Sequence, residues 1–170
     1  MKVFPLTLAL AVLFAPGPNL RGQDAQTPPT LDVSVENRTA LAELEVGVPR
    51  ADSTSRPGDV LRFHLVFTNH LDRPIRNVVL HNPIPEGTRF ISGSPAVDRE
   101  DAVLEMSADG GLTFSQAPTE EVLVDGRLQT RPVPPERFTD VRWTVPGWVE
   151  PGASVSAHFE VRVGSGEVDL

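Results

Sequence analysis

Apolar and polar residues alternate with a period of two along most of this chain, which is the repeat of strands that bury one face. In LDVSVENRT, Leu31, Val33 and Val35 alternate with Asp32, Ser34 and Glu36, and LAELEVGV, residues 41–48, continues the alternation. Both segments are read as strands. The clearest alternation is VLRFHLVFTN, which follows the turn Arg56-Pro57-Gly58-Asp59 and sets Leu61, Phe63, Leu65 and Phe67 against Arg62, His64, Val66 and Thr68. One face is therefore expected in the core and the other mostly in water. In IRNVVLHNPIPEG, Val78 and Leu80 extend the pattern until Pro83 and Pro85, which lack an N–H, end the ladder. TRFISGS is a further short strand with Phe90 inside.

The middle of the chain reads as hairpins. AVLEM and LTFS flank Asp109-Gly110-Gly111, and VLV and RLQT flank Asp125-Gly126, where glycine supplies the positive φ that tight turns need. RPVPPERF is a rigid, extended loop. TDVRWTV then points Val141, Trp143 and Val145 inward. PGWVEPGA turns at Pro151-Gly152, and SVSAHFEVRV buries Val155, Ala157, Phe159, Val161 and Val163. No amphipathic helix is expected. Short strands in series, without strand-helix alternation, predict an all-β chain in which two antiparallel sheets pack as an immunoglobulin-like sandwich. A closed barrel is the competing architecture. With no internal repeat the chain is not a propeller.

Composition narrows the setting. The 170 residues fit one domain, and 17 Pro and 13 Gly suit strands joined by turns. A formal charge of −8 argues against nucleic acid, which needs a basic stripe. The start, MKVFPLTLALAVLFAPGP, has one Lys and an apolar run too short for a membrane span, the shape of a secretory signal. With no Cys there is neither a disulfide framework nor a lipidated cysteine, so an exported bacterial protein, periplasmic or secreted, without a direct membrane anchor after signal removal, is expected. The expected divisions are a signal peptide at 1–25, a linker or first strand at 26–40, the sandwich at 41–164 and a tail at 165–170.

Three segments carry a resemblance. RPGDVLRFHLVFTN, NVVLHNPIPEGTRFISGS and VRWTVPGWVEPGASVSAHFEVRV resemble the bacterial conserved-repeat domain catalogued as domain of unknown function eleven. Its signature has a Pro-Gly-Asp turn, a strand ending in Asn, an Asp-x-Leu-Pro-x-Gly segment and a Pro-Gly turn before the last strand. The resemblance spans residues 41–163. It implies an immunoglobulin-like sandwich of exported or surface proteins, usually in tandem copies, with no established enzymatic activity. Here the Asp of the third element is Asn82 and its Leu is Ile84, and a single copy is present; the first change removes a carboxylate from any metal site there.

The stretch SADGGLTFS, residues 107–115, matches a box that sialidases repeat on their blades. A sialidase would also need a Tyr nucleophile, and this chain has no Tyr. Ser107, Asp109, Gly110, Gly111, Thr113 and Phe114 are therefore assigned to a stabilised turn, with Phe114 packed beneath it. Pro57, Gly58, Asp59, Asp125, Gly126, Pro151 and Gly152 are assigned to other turns. Trp143 is expected in the core, and Trp148, in PGWVEPG, is the candidate for an exposed contact. His64, His70, His81 and His158 lack metal-ligand spacing. The acidic run Asp98, Glu100 and Asp101, with Asp109 as a neighbour, lacks the spacing of a calcium loop. No nucleophile motif or phosphate loop is present, and no catalytic residue, metal or cofactor is expected. The sequon Asn37-Arg38-Thr39 is a chance match. The expected function is a non-enzymatic module that makes protein or cell-surface contacts through an edge strand; the alternative is a carbohydrate-binding accessory module that uses the box and Trp148 on a surface glycan.

Overall fold

The computed structural model describes residues 27–48 and 54–165. The expected signal peptide lies outside the described residues. Ten strands form the framework. They are β1 (Thr30–Asn37), β2 (Val60–Thr68), β3 (Val78–Pro83), β4 (Thr88–Phe90), β5 (Ala96–Val97), β6 (Val103–Ser107), β7 (Thr119–Val124), β8 (Arg127–Pro132), β9 (Asp140–Val145) and β10 (Ser154–Val163). One sheet runs β1-β2-β10-β4, with β5 also paired to β10. A second runs β3-β9-β6, and β7-β8 is a separate hairpin. All pairings are antiparallel. The fold is an all-β sandwich.

The alternation read from the sequence sets the core. Phe63 and Leu65 of β2 and Val155, Ala157, Phe159 and Val161 of β10 meet Val78 and Leu80 of β3, Met106 of β6, and Val141, Trp143 and Val145 of β9. Phe159 stacks on Phe63 with ring centroids 5.0 Å apart and meets Trp143 at 6.2 Å. Trp143 is fully buried, as its place in β9 predicts. Val163 is half-buried at the end of β10.

Buried polar groups fasten the strand ends. Asn69, at the end of β2, is fully buried; its Nδ2 donates to the carbonyls of Arg73 and Val149, and its Oδ1 accepts from the Leu71 N–H. One amide thus ties the β2–β3 loop to the β9–β10 connection, and Gly152 N–H, at a positive φ in its turn, donates to the Asn69 carbonyl. Asp59 is buried where the chain enters β2, its Oδ2 accepting from the Arg56 N–H and from Asn37 Nδ2.

Asn37 marks a correction. Residues 41–48 are not a strand: Arg38–Glu45 form a helix, α1, capped by Asn37 Oδ1, which accepts from the Ala40 N–H at 2.9 Å. The segment is rich in Ala, Leu and Glu, which favour helix, and an N-capping Asn precedes it; short-range alternation was the weaker signal. The sequon nitrogen is committed to Asp59 at 2.7 Å. The hairpin expected around Asp109 is reduced to a loop closed by an isolated bridge between Met106 and Ser115. The hairpin at Asp125-Gly126 forms, with both residues at positive φ. RPVPPERF is not extended throughout: its start, Arg131 and Pro132, belongs to β8, and Pro135–Arg137 is a 3-10 turn.

Asn69→Ala would leave buried backbone groups without partners and is expected to cost about 1–3 kcal/mol, against about 3–5 kcal/mol for Trp143→Ala. Urea unfolding of both variants checks this; an Asn69→Ala curve superimposed on wild type would refute the tie.

Candidate functional site

A sheet of four strands abreast packs on one of three, and the overhang falls at β1. Leu31, Val33 and Val35 pair with Phe67, Leu65 and Phe63 and share their face. Phe63 and Leu65 are buried, yet Leu31, Val33 and Val35 are 43%, 48% and 53% exposed. The opposite face of β1 presents Asp32, Ser34 and Glu36. Glu36 pairs with Arg38 and lies 4.0 Å from His64 Nε2. Among the described residues no strand pairs with the outer edge of β1. The other border of this sheet is made of the short β4 and β5, separated by a turn at Ser92-Gly93. Short, broken edges resist pairing; an eight-residue strand without Pro or Lys invites it. Leu44, Val46 and Val48, at the end of α1 and beyond it, are exposed as well. The sequence places alternating apolar residues in β1; that among the described residues they are only half covered is a property of the sheet widths.

The box residues come together as one turn. Asp109 accepts from Thr113 Oγ1 at 2.6 Å, from the Thr113 N–H at 2.9 Å and from Ser107 Oγ at 2.7 Å. These bonds, Thr113's first, bring its pKa down to about 2. Ser107 Oγ also accepts from the Asp109 and Gly111 N–H groups, and Thr139 Oγ1 from that of Gly110. Gly110 and Gly111 have positive φ, and a Cβ at Gly111 would sit 3.3 Å from the buried Asp140 carboxylate. Every polar side chain of the box has an internal partner.

Phe114 does not pack beneath this turn. It lies on the outer face of the second sheet, with the Arg142 guanidinium 3.9 Å from its ring centre and the His81 ring edge-on at 5.5 Å. His81 Nε2 lies 2.8 Å from Asp140 Oδ1, and Arg142 also pairs with Glu105. Beside the turn runs a groove of about 390 Å³, lined by Met106, Asp109, Phe114, Glu120, Val133 and Arg137 among others, with Glu120 and Arg137 paired. Trp148 does not line it. It is exposed elsewhere, with the Arg76 guanidinium 5.2 Å from its ring centre and its carbonyl accepting from Arg99. The two halves of a sugar-binding site are therefore separate.

The remaining candidates are engaged in structure. Pro57, Gly58 and Asp59 turn the chain into β2; Pro151 and Gly152 turn it into β10. Asp98 accepts from the Ser156 N–H, and Asp101 accepts from Arg99 and the Gly147 N–H, Arg99 holding its pKa below the usual value. His70 meets Thr30 Oγ1. His64 and His158, far apart in sequence, are opposite each other in the β2–β10 register with ring centroids 5.7 Å apart. Among the described residues no group of three or more potential ligands is placed to hold a metal ion, and no helix is long and apolar enough to cross a membrane.

Neither a scan against protein-family models nor a search of curated proteins finds a match to this chain.

Burial, then the charges of Arg62 and His64, hold the His158 pKa below 6.5, with Glu160 opposing. The unfolded chain therefore takes up this proton more readily. The associated stability is present above pH 6.5 and lost as pH falls through the lower folded value. His158→Gln is expected to flatten the decline of melting temperature between about pH 7 and 5; an unchanged pH profile would show that another group governs it.

Proposed function

We propose that this protein is a non-enzymatic, exported, immunoglobulin-like module of a bacterial envelope or secretome that works by protein contact along β1. The observation that carries the proposal is the open edge of β1 with Leu31, Val33 and Val35 exposed beside it. An incoming strand satisfies the unpaired backbone groups and covers the apolar side chains at once, which is how sheet augmentation combines affinity with specificity. The signal-like start and the resemblance to the conserved-repeat domain support export and the absence of catalysis. Within that resemblance, Asp59 and Asn69 serve as ties of the framework, which fits a scaffold whose signature maintains structure.

A carbohydrate-binding role draws on the exposure of Trp148 and the groove beside Asp109. It asks less of β1 and more of a single aromatic, since the two features lie apart.

A photo-reactive residue at Ser34 of the secreted protein is expected to cross-link to a protein. Val33→Lys, at a half-exposed position where substitutions shift stability by only about 0.5 kcal/mol, should remove the adduct without lowering the melting temperature. Glycan retention that Trp148→Ala abolishes, with no adduct at Ser34, would replace edge contact by sugar binding.

A further inference from the structure

The β7–β8 hairpin projects as a sheet of its own, anchored at its base by the Val133 N–H to the Pro118 carbonyl and by Arg137 on Glu120. All six residues of β8 are exposed, and its outer edge has no partner strand among the described residues. Arg127, Gln129 and Arg131 share one face, and the Arg131 guanidinium donates to Gln129 Oε1. The other face presents Leu128, 67% exposed, against Leu123 of β7, 70% exposed. A hairpin whose opposed leucines both face water has the exposed apolar character of a contact surface.

The pattern of β8 is the complement of β1. Laid antiparallel, Arg127 falls opposite Glu36, Gln129 opposite Ser34 and Arg131 opposite Asp32, while Leu128 falls opposite Val35 and Thr130 opposite Val33. The charged and polar pairs share one face and the pairs that bring Val35 and Val33 against Leu128 and Thr130 the other, and opposite charges across a ladder favour the register. Pro132, without an N–H, falls at the end of the ladder opposite Leu31. Leu123, one strand further out, extends apolar cover over the face that the narrow second sheet leaves bare. By contrast, β1 pairing with another β1 in the register centred on Ser34 would set Asp32 against Glu36, two like charges.

We propose that the partner of the β1 edge is a second copy of this chain, which inserts its β8 edge there. The inference rests on the β1-contact reading and names the occupant. Because β1 and β8 are different surfaces, the contact is head-to-tail, so each added copy presents a fresh β1 or β8 edge and the copies add in series until a ring closes. Six residue pairs make a small interface, so association is reversible and concentration-dependent. Its charge pairs weaken as salt rises.

Sedimentation of the full chain over a range of concentrations tests this. The expected result is a mass that rises with concentration at low salt and falls back toward monomer as salt is added. Arg127→Glu with Arg131→Gln is expected to weaken association by about tenfold or more; Arg131 is made neutral because it lies opposite Glu120 in the hairpin. Asp32→Lys with Glu36→Lys is expected to do the same. Mixing the two variants, one with an intact β8 and the other with an intact β1, should restore pairwise association. If the Lys variant does not fold, the β8 variant, altered only at exposed positions, still decides. A dimer unaffected by the β8 changes would mean β1–β1 pairing and overturn the proposal. A chain monomeric throughout would also overturn it; a Ser34 adduct to a different protein would then leave the edge reading standing, and no adduct would remove both.

Discussion

Unequal sheet width is the constraint on which the rest of this structure depends. Three strands, β3, β9 and β6, cover a larger sheet whose central strands β2 and β10 supply most of the opposing core. Burial is complete where the sheets overlap: Leu65, Leu80, Val141, Val145, Val155, Phe159 and Val161 are all sealed from water. Overlap ends before β1, so three residues with the right alternation and the right facing stay half in solvent. Apolar area not removed from water contributes nothing to folding, and it remains to be gained by association.

Polar chemistry in this chain is mostly spent on holding ends and turns. Asn69, Asp59 with Asn37, and the Ser107–Asp109–Thr113 cluster each fasten backbone groups that the ladders leave unpaired. Among the described residues no buried side-chain nitrogen or oxygen lacks a partner. A carboxylate encircled by donors, as Asp109 is, is a poor general base and a well-anchored turn. The resemblance of residues 107–115 to a sialidase box therefore concerns a way of building a turn. The same economy places Asp59, Asn69 and Gly152 on ties and turns.

The β7–β8 hairpin stands outside the two packed sheets, and its composition differs accordingly: no residue of either strand is fully buried. A projecting hairpin whose outer strand, β8, is basic and an edge strand, β1, that is acidic lie on one chain of net charge −8. A surface that combines both signs in separate places attracts its own kind in one orientation and repels it in most others.

Strand periodicity was legible because alternation is local: each of Phe63, Leu65, Trp143 and Phe159 is assigned to the core by neighbours two residues away. Turns at Gly58, Asp125-Gly126 and Gly152 were legible because positive φ selects glycine and Asn or Asp. The helix at Arg38–Glu45 was missed where two local signals competed, and the N-cap at Asn37 was hidden by its sequon. Other features had no local signal at all. The meeting of His64 with His158, the seat of Phe114 on Arg142, the separation of Trp148 from the box groove and the exposure of Leu31, Val33 and Val35 depend on which strands pair and how far one sheet reaches across the other. By itself, then, the sequence determined which residues prefer water and which do not, through side-chain chemistry repeated every second position. Only the tertiary structure decided which of those preferences are met, because burial depends on the facing sheet and not on the strand that carries the residue.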